Sequence, residues 1–278
     1  MTATEVFEKA LEEIRQRDVV TPAESTLGAA VELLQSLDKE VPYNPEETPL
    51  APWGDEIEAF LAAGLLTLLY GGEPGTKAVL SSLRLIARGQ AEHESHPTLY
   101  PTFVVLLHHL VWATAACALA NDRLEIFSRL AQIRVSTLYR EEGSIFALAD
   151  LRHPDAFDRG ADRVYEDCRQ WLLGLSFRER LAAWRRDIDA EASLAEAELL
   201  AALVFARTEP DRTYSHAARV SGAPERRIRE RLQDPKGQHE LSRLLEIEPD
   251  RLPNLVGELY DRVVGPDEFS RVTLFPET

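Results

Sequence analysis

The sequence predicts an all-α protein, a multi-helix bundle or irregular helical repeat with a C-terminal helix-turn-helix-like subdomain. Three observations carry that expectation. Apolar residues recur three and four places apart along most of the chain, the period of a helix that buries one side. No convincing run shows the strict alternation of a half-buried strand. The helical stretches are also joined by connections short enough to set neighbours antiparallel.

In chain order, Phe7, Leu11 and Ile14 mark one face of a first helix. Thr21-Pro22-Ala23-Glu24 then reads as a capping box with proline at the first helical position, opening a helix that runs through Val31, Leu33, Leu34 and Leu37. Residues 42–53 contain four prolines, which remove amide donors and bias their predecessors away from helix, so this stretch is a loop. It divides an acidic N-terminal hairpin, residues 1–41, from an apolar helical core, residues 54–174. Within that core the spacing predicts helices over Asp55–Tyr70, Thr76–Arg88, Pro101–Ala120, Asp122–Tyr139 and Asp158–Leu173, with Gly71 and Gly72 stopping the first. A C-terminal subdomain, residues 175–278, carries helices near Phe177–Asp187 and Leu194–Arg207, three shorter ones up to Ile247, and a last one over Leu252–Val264. The apolar run Phe269–Phe275 would be a lone extended segment with no ladder to join.

Composition narrows the classes of function. The chain has 278 residues, 45% of them hydrophobic, which is enough to bury one large core or two smaller ones. Its formal charge is −16, so a surface that binds nucleic acid or anionic lipid throughout is excluded, and any such contact must come from a local patch. Residues 1–100 hold 17 acids and 7 bases, placing most of the excess at the N-terminal end. Two isolated cysteines, Cys117 and Cys168, make neither a disulfide framework nor a thiolate zinc site and point to a reducing cytoplasm. The first residues mix acids and bases without an apolar run, so no secretory signal is expected. Phe103 to Ala120 is uncharged and just long enough to span a bilayer. It carries His108 and His109 at its middle and no flanking basic cluster, so a buried helix is expected and no membrane contact.

The chemical motifs are sparse. Gly71-Gly72-Glu73-Pro74-Gly75-Thr76-Lys77 has the glycines and lysine of a phosphate loop at too short a spacing, and it follows a helix where that loop needs a strand. A helix stop followed by a proline-assisted start explains every residue of it. His93 and His96, with His108 and His109 in the next helix, are the candidate metal ligands. They lack the zincin spacing, and no Glu-x-x-His stands near them to build a carboxylate-bridged pair, so no metal and no cofactor is expected. No nucleophile elbow occurs, and Cys117 sits in an apolar helix where a thiol acts as a small hydrophobe.

The most specific pattern spans residues 214–232, within a helix-turn-helix-like segment over 194–232. Small Ala218, then Gly222 at a turn, then Ile228 and Leu232 on one helix face match the packing positions of that motif. Residues 207–231 hold seven arginines against four acids, a local reversal of the chain's sign. Arg219, Arg226, Arg227, Arg229 and Arg231 are therefore the candidate nucleic-acid-binding residues, since arginine offsets phosphate charge and forks onto guanine edges. The same pattern also serves to pack three short helices, with the arginines paired to acidic neighbours.

Tyr100-Pro101-Thr102-Phe103, continuing through HHLVWATAACALANDRLEIFSRLAQIRV, resembles a segment of the helical regions that follow effector domains in some bacterial defence proteins, sirtuin-like NAD hydrolases among them. The resemblance covers about 40 of the 278 residues and is also met by tetratricopeptide-like helix pairs. It implies a scaffolding or sensing role in a defence system and transfers no catalytic residue. Taken together, the sequence leads to the expectation of a non-enzymatic accessory or sensing component that binds another protein, with homo-oligomers as a further option. A DNA-binding transcriptional regulator using the Arg-rich helix 224–232 is the alternative.

Overall fold

The computed structural model describes residues 20–37, 54–92, 99–136, 143–149, 190–208 and 223–264, together with Glu12 and Gln170 as single positions. Apart from those two positions, the helix expected around Phe7 to Ile14, those over Asp158–Leu173 and Phe177–Asp187, and the run Phe269–Phe275 lie outside the described residues. The architecture is all-α: ten α-helices and one minimal strand pair among the described residues.

Helix α1, Val20–Leu37, begins one residue before Thr21, so that threonine falls inside the helix. Its Thr26, Ala30 and Leu33, spaced four and three apart, are fully buried. They pack against α2, Gly54–Tyr70, and α3, Gly72–Glu92, forming an N-terminal three-helix unit. The Thr26 and Thr67 hydroxyls meet at 3.1 Å between α1 and α2, satisfying one another inside the apolar contact. The break between α2 and α3 is tighter than expected. Gly71 ends α2, and Gly72, with φ of +59°, already starts α3, because only glycine adopts that backbone without strain.

Helix α4, Leu99–Ala120, has no polar face, and every residue from Thr102 to Leu119 is buried. It is long and apolar enough to cross a membrane by length and composition, but 94% of that stretch is covered by the protein itself. The cover comes from α2 and α3 on the N-terminal side and from three later elements. The first is α5, Leu124–Ala131; the second is a four-residue helix, α6, Ile145–Leu148; the third is α7, Ala190–Thr208. Trp112 stacks on Phe146 at 5.3 Å between ring centroids, and Phe146 stacks on Phe127 at the same distance, tying α4, α5 and α6 together.

The segment expected to be helical to Tyr139 instead ends at Ala131. Ile133 and Val135 are buried while Gln132, Arg134 and Ser136 are more open, the period of two that belongs to a strand. Arg134–Val135 forms β1, paired antiparallel with β2, Gly143–Ser144, in the register Arg134 with Ser144 and Val135 with Gly143. Ser144 then caps α6 by accepting from the Ala147 amide at 3.1 Å.

Helix α7 is buried from Ala192 to Ala206 and lies on α4. Against its other sides pack α8, Ala223–Gln233, α9, Pro235–Leu245, and α10, Leu252–Val264, the last with the bounds the sequence predicts. One continuous apolar core runs from Ala30 to Val263, so α7 joins the C-terminal helices to the central helix without a break in packing. Asp234 caps α9 with Pro235 at its first position and accepts from the Gly237 amide at 2.8 Å.

Gly237 is where α8 and α9 touch backbone to backbone. A Cβ built there would lie 2.5 Å from the Arg231 carbonyl oxygen and 2.8 Å from the Arg231 Cα, neither of which is a flexible side chain. Gly237→Ala should therefore destabilise the fold by about 1–3 kcal/mol through overpacking, read as a lower urea midpoint at unchanged slope.

Candidate functional site

The Arg-rich helix α8 is the site the sequence singles out, and its charges have clear destinations. Arg227 and Arg231 are four residues apart and so stand one above the other on the same side of α8. That side faces Glu196 of α7, whose side chain is fully buried. Arg227 Nη1 donates to Glu196 Oε2 at 2.9 Å and to Ser193 Oγ at 3.2 Å. Arg231 Nε donates to Glu196 Oε1 at 2.9 Å, so each carboxylate oxygen takes one guanidinium. Arg231 Nη1 also reaches Asp122 Oδ1 at 2.9 Å, in the turn between α4 and α5, where Asp122 adopts a φ of +55°. Lys236 of α9 lies 3.8 Å from the other Asp122 oxygen and 3.7 Å from Glu240 Oε1. Burial disfavours the Arg231 charge, but Glu196 and Asp122 outweigh it and hold the guanidinium above its ordinary value.

The remaining arginines of the motif are placed differently. Arg226 is exposed, and Arg229 is half buried, with Nε and Nη2 lacking a hydrogen-bond partner. Arg219, together with the expected helix and turn over 214–222, lies outside the described residues. Beside the ion pair a cavity of about 310 Å³ is lined by Leu119, Asp122, Arg231, Asp234 and Lys236 among others, with more acids than bases. A phosphate approaching there would meet Asp122, Glu230 and Asp234 as well as the arginines.

A second concavity lies at the C-terminal end of α7. Two cavities of about 270 and 540 Å³ adjoin at Arg207 and Glu246. The larger is rimmed by Glu246, Glu248, Asp250 and Glu258 with Arg207 and Arg251, over Ile247 and Leu255. Glu246 closes α9 in the left-handed region, at φ of +54°.

Among the metal candidates, His93 and His96 lie outside the described residues. His108 and His109 are both buried in α4 with their rings edge to face, 6.1 Å between centroids. His109 Nδ1 donates to the Val105 carbonyl at 2.7 Å. His108 Nδ1 stands 2.9 Å from the Ala149 carbonyl and 3.0 Å from Trp112 Nε1. One nitrogen either donates to the first or accepts from the second, so the ring tautomer decides which contact is made. Gln90 Nε2 donates to the Leu148 carbonyl at 2.9 Å and so pins the end of α6 to the core. No group of three or more histidine, cysteine or acidic side chains is arranged to hold a metal among the described residues. The Cys117 thiol is pushed up to about 12 by burial, with Arg123 acting the other way, so no thiolate forms at neutral pH.

Glu196 and Asp122 are the partners that residue-type reasoning passed over. The available signal was in α7, where Glu196 and Glu198 interrupt the otherwise largely apolar stretch from Ala192 to Ala206. Compared with known proteins, the chain matches no family model, no curated protein and no solved structure.

Removing the Glu196 charge leaves two guanidinium groups facing a dry helix. Glu196→Gln should cost about 3 kcal/mol in chemical denaturation, whereas exposed Arg226→Ala should stay within about 0.5 kcal/mol of the parent. Equal effects of the two would contradict a special role for the Glu196 ion pairs. His109 supplies a pH test. Burial pushes its imidazole down from 6.5 to about 4, against the pull of the Val105 carbonyl. Between those values the unfolded chain holds more protons than the folded one, so this contribution is full above pH 6.5 and is lost as pH falls toward 4. Over that interval the parent should lose about 3 kcal/mol more than His109→Leu, measured by urea unfolding at each pH.

Proposed function

We propose that this chain is a non-enzymatic accessory or sensing component that works by binding another protein. The observation that carries this reading is on α1. Leu27 and Val31, one turn apart on the side away from the core, are 38% and 42% exposed, and Gly28 beside them has open space around it. Tyr70, 47% exposed, stands at the end of α2 that Thr67 joins to Thr26, so it belongs to the same end of the N-terminal unit. A partner would bury this apolar edge, and the acidic surroundings would set orientation and on-rate more than affinity. Membership of a bacterial defence system follows from the resemblance of residues 100–135 to the helical regions of such proteins. A reducing cytoplasm is the proposed setting, in keeping with the free thiol of Cys117.

The alternative, a DNA-binding regulator, draws support from exposed Arg226. It would also require Arg227 and Arg231 to leave Glu196, which makes two of its five arginines costly to use.

Quantitative capture from the native host separates the two. With the full chain as bait, one protein should be enriched, and Leu27→Asp with Val31→Asp should lower its recovery by about tenfold or more while the bait stays folded. Undiminished recovery would contradict the assignment to α1. Duplex DNA binding with an affinity that falls steeply with salt would favour the regulator instead.

A further inference from the structure

Two surfaces of opposite sign find no partners among the described residues. On α3, Lys77, Ser81, Arg84, Leu85 and Arg88 are exposed and fall on one side of the helix, since they are spaced by threes and fours. The three cations make no ion pair or hydrogen bond among the described residues. Leu85, in their midst, is 39% exposed, one of only four large apolar side chains left open among the described residues. Glu73 and Glu92 flank the stripe a turn beyond each end, and Glu73 is already bound to Arg129 at 2.8 Å.

The complementary surface is the groove of about 540 Å³ beside the start of α10. Its four carboxylates, Glu246, Glu248, Asp250 and Glu258, make no ion pair among the described residues and outnumber its two arginines. Ile247 and Leu255, only partly buried, provide an apolar floor. A strip of three cations around a leucine matches an acidic rim around an isoleucine and a leucine in both charge and chemistry. Both halves of the match belong to the same chain.

We propose that the protein self-associates, the α3 stripe of one copy seating in the α10 groove of another. The two surfaces share no residue, so the contact either repeats head to tail into a ring or filament, or occurs twice, once each way, across an isologous twofold pair. This goes beyond the partner-binding role and uses different residues from it.

Sedimentation velocity on the full chain over a range of concentration is the test. The wild type should show reversible, concentration-dependent association. Arg84→Glu with Arg88→Glu should weaken it by about tenfold or more, and so should Glu248→Arg with Asp250→Arg. Mixed together, the two variants should associate again, because each supplies the complement the other now needs, and all four changes in one chain should restore assembly. All these positions are exposed, and thermal unfolding followed by circular dichroism verifies that each variant is folded. A wild type that stays monomeric, an assembly indifferent to both reversals, or a folded four-site swap that stays monomeric would each overturn the proposal. A monomer that still captures its partner through Leu27 and Val31 would overturn self-association alone.

Discussion

The need to cover α4 on every side organises the rest of the molecule. From Thr102 to Leu119 this helix has no charged residue and no polar side to turn to water, so each side must be met by another element. The N-terminal unit covers part of it through α2 and α3, and α5, α6 and α7 cover the remainder. Helix α7 then repeats the requirement, being buried from Ala192 to Ala206, and it is met by α8, α9 and α10. Two helices buried all round and in contact thus form a spine, and the helices with a polar side are the ones that reach solvent. That arrangement accounts for a single apolar core running from one end of the described chain to the other.

A purely apolar spine would leave the C-terminal helices free to slide along it. Glu196 removes that freedom. A buried carboxylate is costly unless it is paired, and the two oxygens of Glu196 accept from Arg227 and Arg231, so α8 has one register on α7. Asp122 extends the constraint to the turn that ends α4, and the close approach at Gly237 fixes α9 against α8. Buried ion pairs add little stability over apolar residues of the same shape, so the gain here is in the selection of one packing. Two of the five arginines that resemble a nucleic-acid patch in the sequence, Arg227 and Arg231, are in the fold the complement of one acid.

How much was legible in the sequence depends on whether the deciding neighbour was close along the chain. The spacing of apolar residues located α2, α4, α7 and α10 closely, since each carries its own signal of burial. It overran at Ala131, where Ile133 and Val135 read equally well as the end of a helix and as one face of a strand until Gly143 and Ser144 pair with them. The arginines were recognised as a cluster, but their role hung on Glu196, 31 residues before Arg227, and on Asp122, 109 before Arg231. No local pattern encodes such distances. Likewise His108 and His109 read as buried from the sequence, whereas the Ala149 carbonyl beside His108, 41 residues on, meets it only once the helices are packed.

Native-state hydrogen exchange tests the role of α4 most directly. If the two apolar helices form one spine, the amides of α4 and α7 should be the most protected in the protein and exchange together, only when the whole molecule unfolds. Exchange of α4 at a lower free energy than α8 or α10, or separate unfolding of α7 from α4, would contradict the account.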